Sequence, residues 1–458
     1  MVVEKIHSTF ETVRTGQVFS KPRIYKNLII VCIGYLFMFS AYQGLANLQS
    51  TLNIEGNIGV ISQSVIYVSM IISSLFLPKL IIRKYGCKAT LVMSALLYAP
   101  YIAVNFYPGM GTFLPAAFIL GLAAPALWSA KCTYLNEISA LYASQDSDSA
   151  DVVTNRFFGI FFMVFQTTQI WGNLVSFYVL RPSEGDEDGL AGTIPTLNET
   201  VTCGADFCFG VSENMKAPSD EKKHILIGIY LFCIVLAALI MGLFLDSYDK
   251  KKADDTESLE SRILATLKHM KKTKQLLLVP LTVFSGLEQG FILGDFTKAY
   301  VACAWGIYYV GLVFIFFGAV NSVVSFTSGR LAKYIPRVTI FISGAIGNLA
   351  VCLTLLLWKP NSEQYVVFFV LAGVWGLSDG IWQTMINSLY GILFRSDEEA
   401  AFSNYRLWES LGFAIAFLCS SLLCVTPKIY IVVIILVIGM MGYITVEILV
   451  YFERKNSS

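Results

Sequence analysis

Residues 28–48 read LIIVCIGYLFMFSAYQGLANL, without a charged side chain from end to end. A helix of roughly 20 mostly apolar residues crosses the hydrocarbon core of a bilayer, so this stretch reads as a transmembrane helix. On its N-terminal side stand Lys5, Arg14, Lys21, Arg23 and Lys26. On its C-terminal side the pattern recurs, and further spans are predicted at about 60–82, 88–106, 112–135, 157–180, 225–245, 276–296, 303–326, 338–357, 365–391, 402–425 and 429–451. The composition agrees: hydrophobic residues make up 55% of the chain and charged residues 14%, against about 25% charged in soluble domains. In lipid every backbone polar group must be satisfied internally, so the predicted class is an all-α membrane protein with about 12 transmembrane helices. The formal net charge is +1, and no basic stripe of the kind that binds nucleic acid is present.

Lysine and arginine are unevenly shared between the two faces. With the N-terminus in the cytoplasm, the inner segments hold most of them, and the outer face holds Arg181, Lys216, Lys222, Lys223, Lys298, Lys359 and Lys428. Both termini are therefore expected inside, with residues 1–27 a cytoplasmic segment, the first span an uncleaved signal anchor and 452–458 a cytoplasmic tail. The loop 181–223 is expected outside. It carries the glycosylation acceptor Asn198-Glu199-Thr200. Cys203 and Cys208 share this loop and are expected to pair with each other as a disulfide. The other eight cysteines are scattered singly. The inner segment 246–275 places Leu259, Ile263, Leu267 and Met270 at helical spacing beside several lysines. That suits a helix on the inner leaflet and equally a solvated linker.

This segment divides the chain into 28–245 and 276–451, six spans each. The turns Arg83-Lys84-Tyr85-Gly86-Cys87-Lys88 and Lys333-Tyr334-Ile335-Pro336-Arg337 fall at equivalent places in the two halves. Two six-helix halves with such turns resemble the major facilitator superfamily. Ionisable groups inside spans are costly and mark candidate sites. Glu288 and Asp379 fall near mid-span, and Gln383 and Asn387 follow Asp379 at four-residue intervals on one helix face. These four form a candidate intramembrane polar or ion site; protonated groups in a closed core fit the same pattern. Gln166, Gln169 and Asn173 share a face of the fifth span, facing a cavity or neighbouring helices. Arg406 and Glu409 are three apart and are expected to pair as structural glue. The histidines are His7, His224 and His269, all away from span centres. No metal-ligand spacing, phosphate-cradling loop or nucleophile elbow is found, so neither catalysis nor a cofactor or metal is expected.

Several strings carry a closer likeness: Leu127-Trp128-Ser129-Ala130-Lys131-Cys132-Thr133-Tyr134-Leu135, Phe158-Gly159-Ile160-Phe161-Phe162, Trp171-Gly172-Asn173-Leu174, Gly380-Ile381-Trp382-Gln383-Thr384, Leu389-Tyr390-Gly391 and Asn404-Tyr405-Arg406-Leu407-Trp408-Glu409. In these the chain resembles the Unc-ninety-three family, nearest its homolog A type. The resemblance implies the major facilitator fold, a plasma-membrane location, and Trp128, Tyr134, Asn173, Trp382, Arg406 and Glu409 as framework. It also implies a non-catalytic regulator whose partner is a potassium channel subunit, as for the family's nematode founder; another branch escorts Toll-like receptors. The two-half architecture and buried acids leave a second expectation open, a secondary carrier of a small solute, proton-coupled through Glu288 or Asp379.

Overall fold

A computed structural model describes residues 19–147, 150–181, 202–208, 218–247, 268–331, 334–394 and 398–457. The acceptor Asn198, the segment before residue 19 and Leu259, Ile263 and Leu267 of the linker lie outside these. Among the described residues the regular elements are helices, without a strand. Ten helices among the described residues are long and apolar enough to cross a membrane: Lys21–Ala46, Glu55–Ser74, Lys84–Phe106, Met110–Ala143, Asp220–Phe244, Thr273–Ala302, Ile307–Ser328, Arg337–Leu357, Ser362–Leu393 and Val425–Glu453. Two further crossings complete the set. One is Ala150–Gln166 continued by Thr168–Leu180; the other is Glu398–Leu422, which carries Arg406 and Glu409. Numbered in chain order, these are spans 5 and 11 of twelve.

The helices extend past the apolar windows where charged groups find partners. Span 1 begins at Lys21 instead of residue 28, with Pro22 in its first turn, a position where the missing N–H costs nothing. Lys21 then reaches Asp146 at 3.2 Å, and Arg23 and Lys26 each reach Asp246 at 2.8 Å. Gly86 adopts φ 78°, ψ 167°, so the helix direction breaks inside the basic turn between spans 2 and 3. Span 5 is interrupted at Thr167, and span 7 ends in a π-helical stretch, Ile292–Ala302.

The packing repeats with an offset of six. Spans 1·5, 1·6, 2·4, 3·4 and 3·6 pack in the first half, and 7·11, 7·12, 8·10, 9·10 and 9·12 in the second. The halves meet along spans 2·11 and 5·8. Close helix approach in a membrane needs small residues, and each half uses them at the same place. Gly44 faces Gly172 where span 1 crosses span 5, and Gly286 and Gly412 face backbone where span 7 crosses span 11.

The expected Cys203–Cys208 disulfide is replaced by two others. Cys203 bonds Cys303 and Cys208 bonds Cys424. A turn closed by the Phe207 N–H to the Gly204 carbonyl, 3.1 Å, separates the two cysteines and sends them to different helix ends. Backbone bonds fix the segment there: Gly204 N–H to Ala299 O at 2.9 Å, Val425 N–H to Phe207 O at 2.9 Å and Thr426 N–H to Ala205 O at 3.1 Å. A loop that belongs to the first half by sequence is thus bonded covalently to the second.

Candidate functional site

Glu288 on span 7 and Asp379 on span 10 meet inside the second half, both buried. The Trp375 indole N–H donates to Glu288 Oε2. Asn321 Nδ2 on span 8 donates to Asp379 Oδ2 at 2.5 Å, and Ser325 steadies Asn321 from the next turn at 3.0 Å. Gln383 Nε2 donates to Ser285 Oγ at 3.3 Å. The two carboxyls lie within hydrogen-bonding reach of each other, while Glu288 Oε1 and Asp379 Oδ1 receive no other donor. A carboxyl buried inside a span is costly, and two set close together make a candidate proton-binding site. This pair can therefore take up or release a proton if water reaches it. Among the described residues no group of three or more His, Cys, Asp or Glu could hold a metal ion.

Asn387 belongs to a different network. Its amide donates to the Gln383 carbonyl at 2.6 Å and reaches Tyr405 Oη at 3.5 Å. Tyr405 donates to Glu409 Oε1 at 2.9 Å, and Arg406 Nη1 donates to Glu409 Oε2 at 2.7 Å. The Arg406 guanidinium lies 5.7 Å from the Trp128 ring centre, on span 4 of the other half. Behind it the ammonium of Lys131 sits among the rings of Trp128, Phe158, Phe161 and Phe162 at 4.4–5.3 Å. The span 5 face packs on span 1: Asn47 Nδ2 donates to Gln169 Oε1 and Asn173 Oδ1, both at 2.9 Å.

A third cluster closes the face where residues 202–208 lie. Lys428 and Asp295 are 2.5 Å apart and buried, and Ser420 donates to Asp295 at 2.9 Å. Lys298 donates to Asn57 Oδ1 at 3.2 Å, and Ser50 and Thr297 hydroxyls lie 2.8 Å apart, joining span 7 to the first half. Trp375 and Asn321 were not expected from the sequence as partners of the acids. One signal for Trp375 was present, since it precedes Asp379 by one helical turn.

The strings around Trp128, Phe158 and Arg406 thus converge from three spans on one part of the seam between halves. A family model described as "Ion channel regulatory protein UNC-93" matches residues 50–444. The chain belongs to the UNC-93 family. It is 42% identical to Protein unc-93 homolog A of Xenopus laevis over 94% of this chain and 95% of that one. It is 37% identical to the Putative potassium channel regulatory protein unc-93 of Caenorhabditis elegans over 93% of this chain, which spans 61% of that relative. A crystal structure of a mutant of the nucleoside transporter NupG superposes with TM-score 0.61 at 10% identity, covering 92% of this chain and 99% of the transporter. That likeness shows that the chain has the same fold as this transporter.

Proposed function

We propose that this UNC-93 protein is a plasma-membrane regulatory subunit of a potassium channel, acting in ion balance without catalysis, with both termini in the cytoplasm. The observation that carries this reading is the 37% identity, over nearly the whole chain, to the nematode relative named as a potassium channel regulator. Three features of the chain support it. The excess of Lys and Arg at the face of the termini favours that face as cytoplasmic. Disulfides persist in oxidising surroundings, and both bridges lie at the opposite face. The bridged segment 202–208 also gives that face a fixed surface, as recognition of a partner requires. The test is mass spectrometry of proteins co-purified with the chain from its native membranes in mild detergent. A potassium channel subunit in near-stoichiometric amount is expected; recovery of the chain alone sinks the reading.

A second reading has its own observation. The facing carboxyls of Glu288 and Asp379, in a fold shared with transporters, suit a proton-coupled carrier of a small solute. In that case Asp379→Asn abolishes pH-dependent uptake at unchanged surface expression, and equal uptake in mutant and parent removes it.

A further inference from the structure

The basic turn between spans 2 and 3 takes no part in the sites above, yet it borders an open groove of about 380 Å³. Ligand pockets commonly fall between about 300 and 1,000 Å³. The groove lies between the start of span 3 and the end of span 6 and is lined by Tyr85, Lys88, Val92, Met93, Gly242 and Ser247, among others. Two local features build it. At Gly86 the chain leaves the helical path, with φ 78°, and restarts as span 3. At Gly242 a side chain is missing: an added Cβ would meet nothing closer than Val92 at 3.9 Å. The rim is held by Asp246, one residue before Ser247, which Arg23 and Lys26 grip at 2.8 Å and whose carbonyl accepts from Tyr134 at 2.9 Å.

Charge and polarity indicate the occupant. On the same face Lys21, Arg23, Lys26, Lys274 and Arg337 each pair with a carboxylate at 2.6–3.4 Å. Lys84 and Lys88 pair with no carboxylate among the described residues, and Asp246 is already engaged by span 1. Lys88 is the cation of the lining, and Lys84 immediately precedes the lining residue Tyr85; Val92 and Met93 are its apolar members. Outside the lining, Leu96 follows Val92 by four residues on span 3 and is 44% exposed, and Leu239 and Leu243, near Gly242 on span 6, are 52% and 72% exposed. The groove thus pairs a cationic end with apolar side chains, beside exposed leucines of the same two spans. A soluble anion would match its first part alone.

We propose that this groove binds one acidic phospholipid, with the phosphate against Lys84 and Lys88 and the acyl chains along Val92, Met93 and Leu96. Lysine serves phosphate as a mobile point charge, and lysines near an anionic surface each strengthen attraction severalfold. The site depends on neither function proposed above.

The test is native mass spectrometry of the full chain in neutral detergent, titrated with dioleoylphosphatidylglycerol and, separately, dioleoylphosphatidylcholine. The expected result is one saturable phosphatidylglycerol adduct, weakened on the order of tenfold or more by Lys84→Gln with Lys88→Gln. Gly242→Leu, which fills the groove from its floor, removes the adduct, and Lys274→Gln, at a paired lysine elsewhere on the face, leaves it intact. Equal retention of phosphatidylcholine overturns the proposal, as does an adduct indifferent to the lysine pair. Displacement by millimolar inorganic phosphate also overturns it, making the groove a soluble-anion site. Should Gly242→Leu fail to give a monodisperse protein, the lysine pair at the rim decides the matter.

Discussion

Asp246 follows the last turn of span 6 and takes hydrogen bonds from Arg23 at 2.8 and 3.0 Å, from Lys26 at 2.8 Å and from Asn27 at 3.0 Å, all on span 1. The Arg23 bond foremost, then Lys26 and Asn27, holds its carboxyl well below the usual carboxylate range against the opposing effect of burial. A depressed folded-state pKa contributes stability that is present above the unfolded value, about 3.9, and is lost as pH falls toward the folded value. Asp246→Asn should therefore lower the melting temperature at neutral pH, and the gap from the parent should narrow below about pH 4. Thermal unfolding in detergent across pH 3 to 7 measures it; a gap constant over that range means the ionic pairing contributes nothing. At this scale the sequence was legible where a residue type is costly by itself. Glu288 and Asp379 stand out because a carboxyl in a span needs a reason. Their partners do not stand out. Trp375 and Asn321 are ordinary in a span, and their roles depend on how spans 7, 8 and 10 are set beside one another. Asn387 shares a helix face with Asp379 and Gln383, yet it bonds toward Tyr405, because one face of a helix can look at two neighbours.

The twelve spans were legible from apolar length, since nothing else crosses lipid with its backbone satisfied. Their ends were less so. Span 1 runs on to Lys21 because basic side chains at the membrane edge find Asp146 and Asp246, which hydropathy does not register. The interruption of span 5 at Thr167 has no apolar signature either. Packing between elements rests on glycines that look alike in sequence and differ in space. A Cβ at Gly412 would strike the Val283 carbonyl and stand 2.7 Å from the Leu287 nitrogen, backbone that cannot give way, whereas one at Gly159 meets nothing within 4 Å. The same substitution should thus have opposite signs. Gly412→Ala should cost about 1–3 kcal/mol by forcing spans 7 and 11 apart. Gly159→Ala should gain about 0.5–1 kcal/mol from the lower flexibility of its unfolded chain. Melting temperatures of the two variants beside the parent give the answer, and a shift of equal sign in both would mean the crossing of spans 7 and 11 is looser than described.

For the whole molecule, two halves of equal span number were legible from the linker and from the paired basic turns, and the contact pattern repeating every six spans carries the same division in three dimensions. The covalent link between the halves was not legible. Cys203 and Cys208 share a loop, which favours pairing by proximity in sequence. Cys303 and Cys424 sit at predicted span ends on that same face, so four cysteines at one face could have been read. Their pairing could not, because it depends on where spans 7 and 12 bring those ends. The bridges Cys203–Cys303 and Cys208–Cys424 join residues before the linker to residues after it. This has a consequence that no arrangement within one half shares. Cleavage at a protease site inserted into the linker, between spans 6 and 7, should leave the protein as a single band on a denaturing gel without reductant and as two bands with it. Changing both Cys203 and Cys208 to serine should release the halves without reductant. Halves that part in the unmodified, unreduced protein would restore the local Cys203–Cys208 pair. A protein that stays whole ties the loop face of one half to the other, so any relative movement of the halves must carry residues 202–208 with spans 7 and 12.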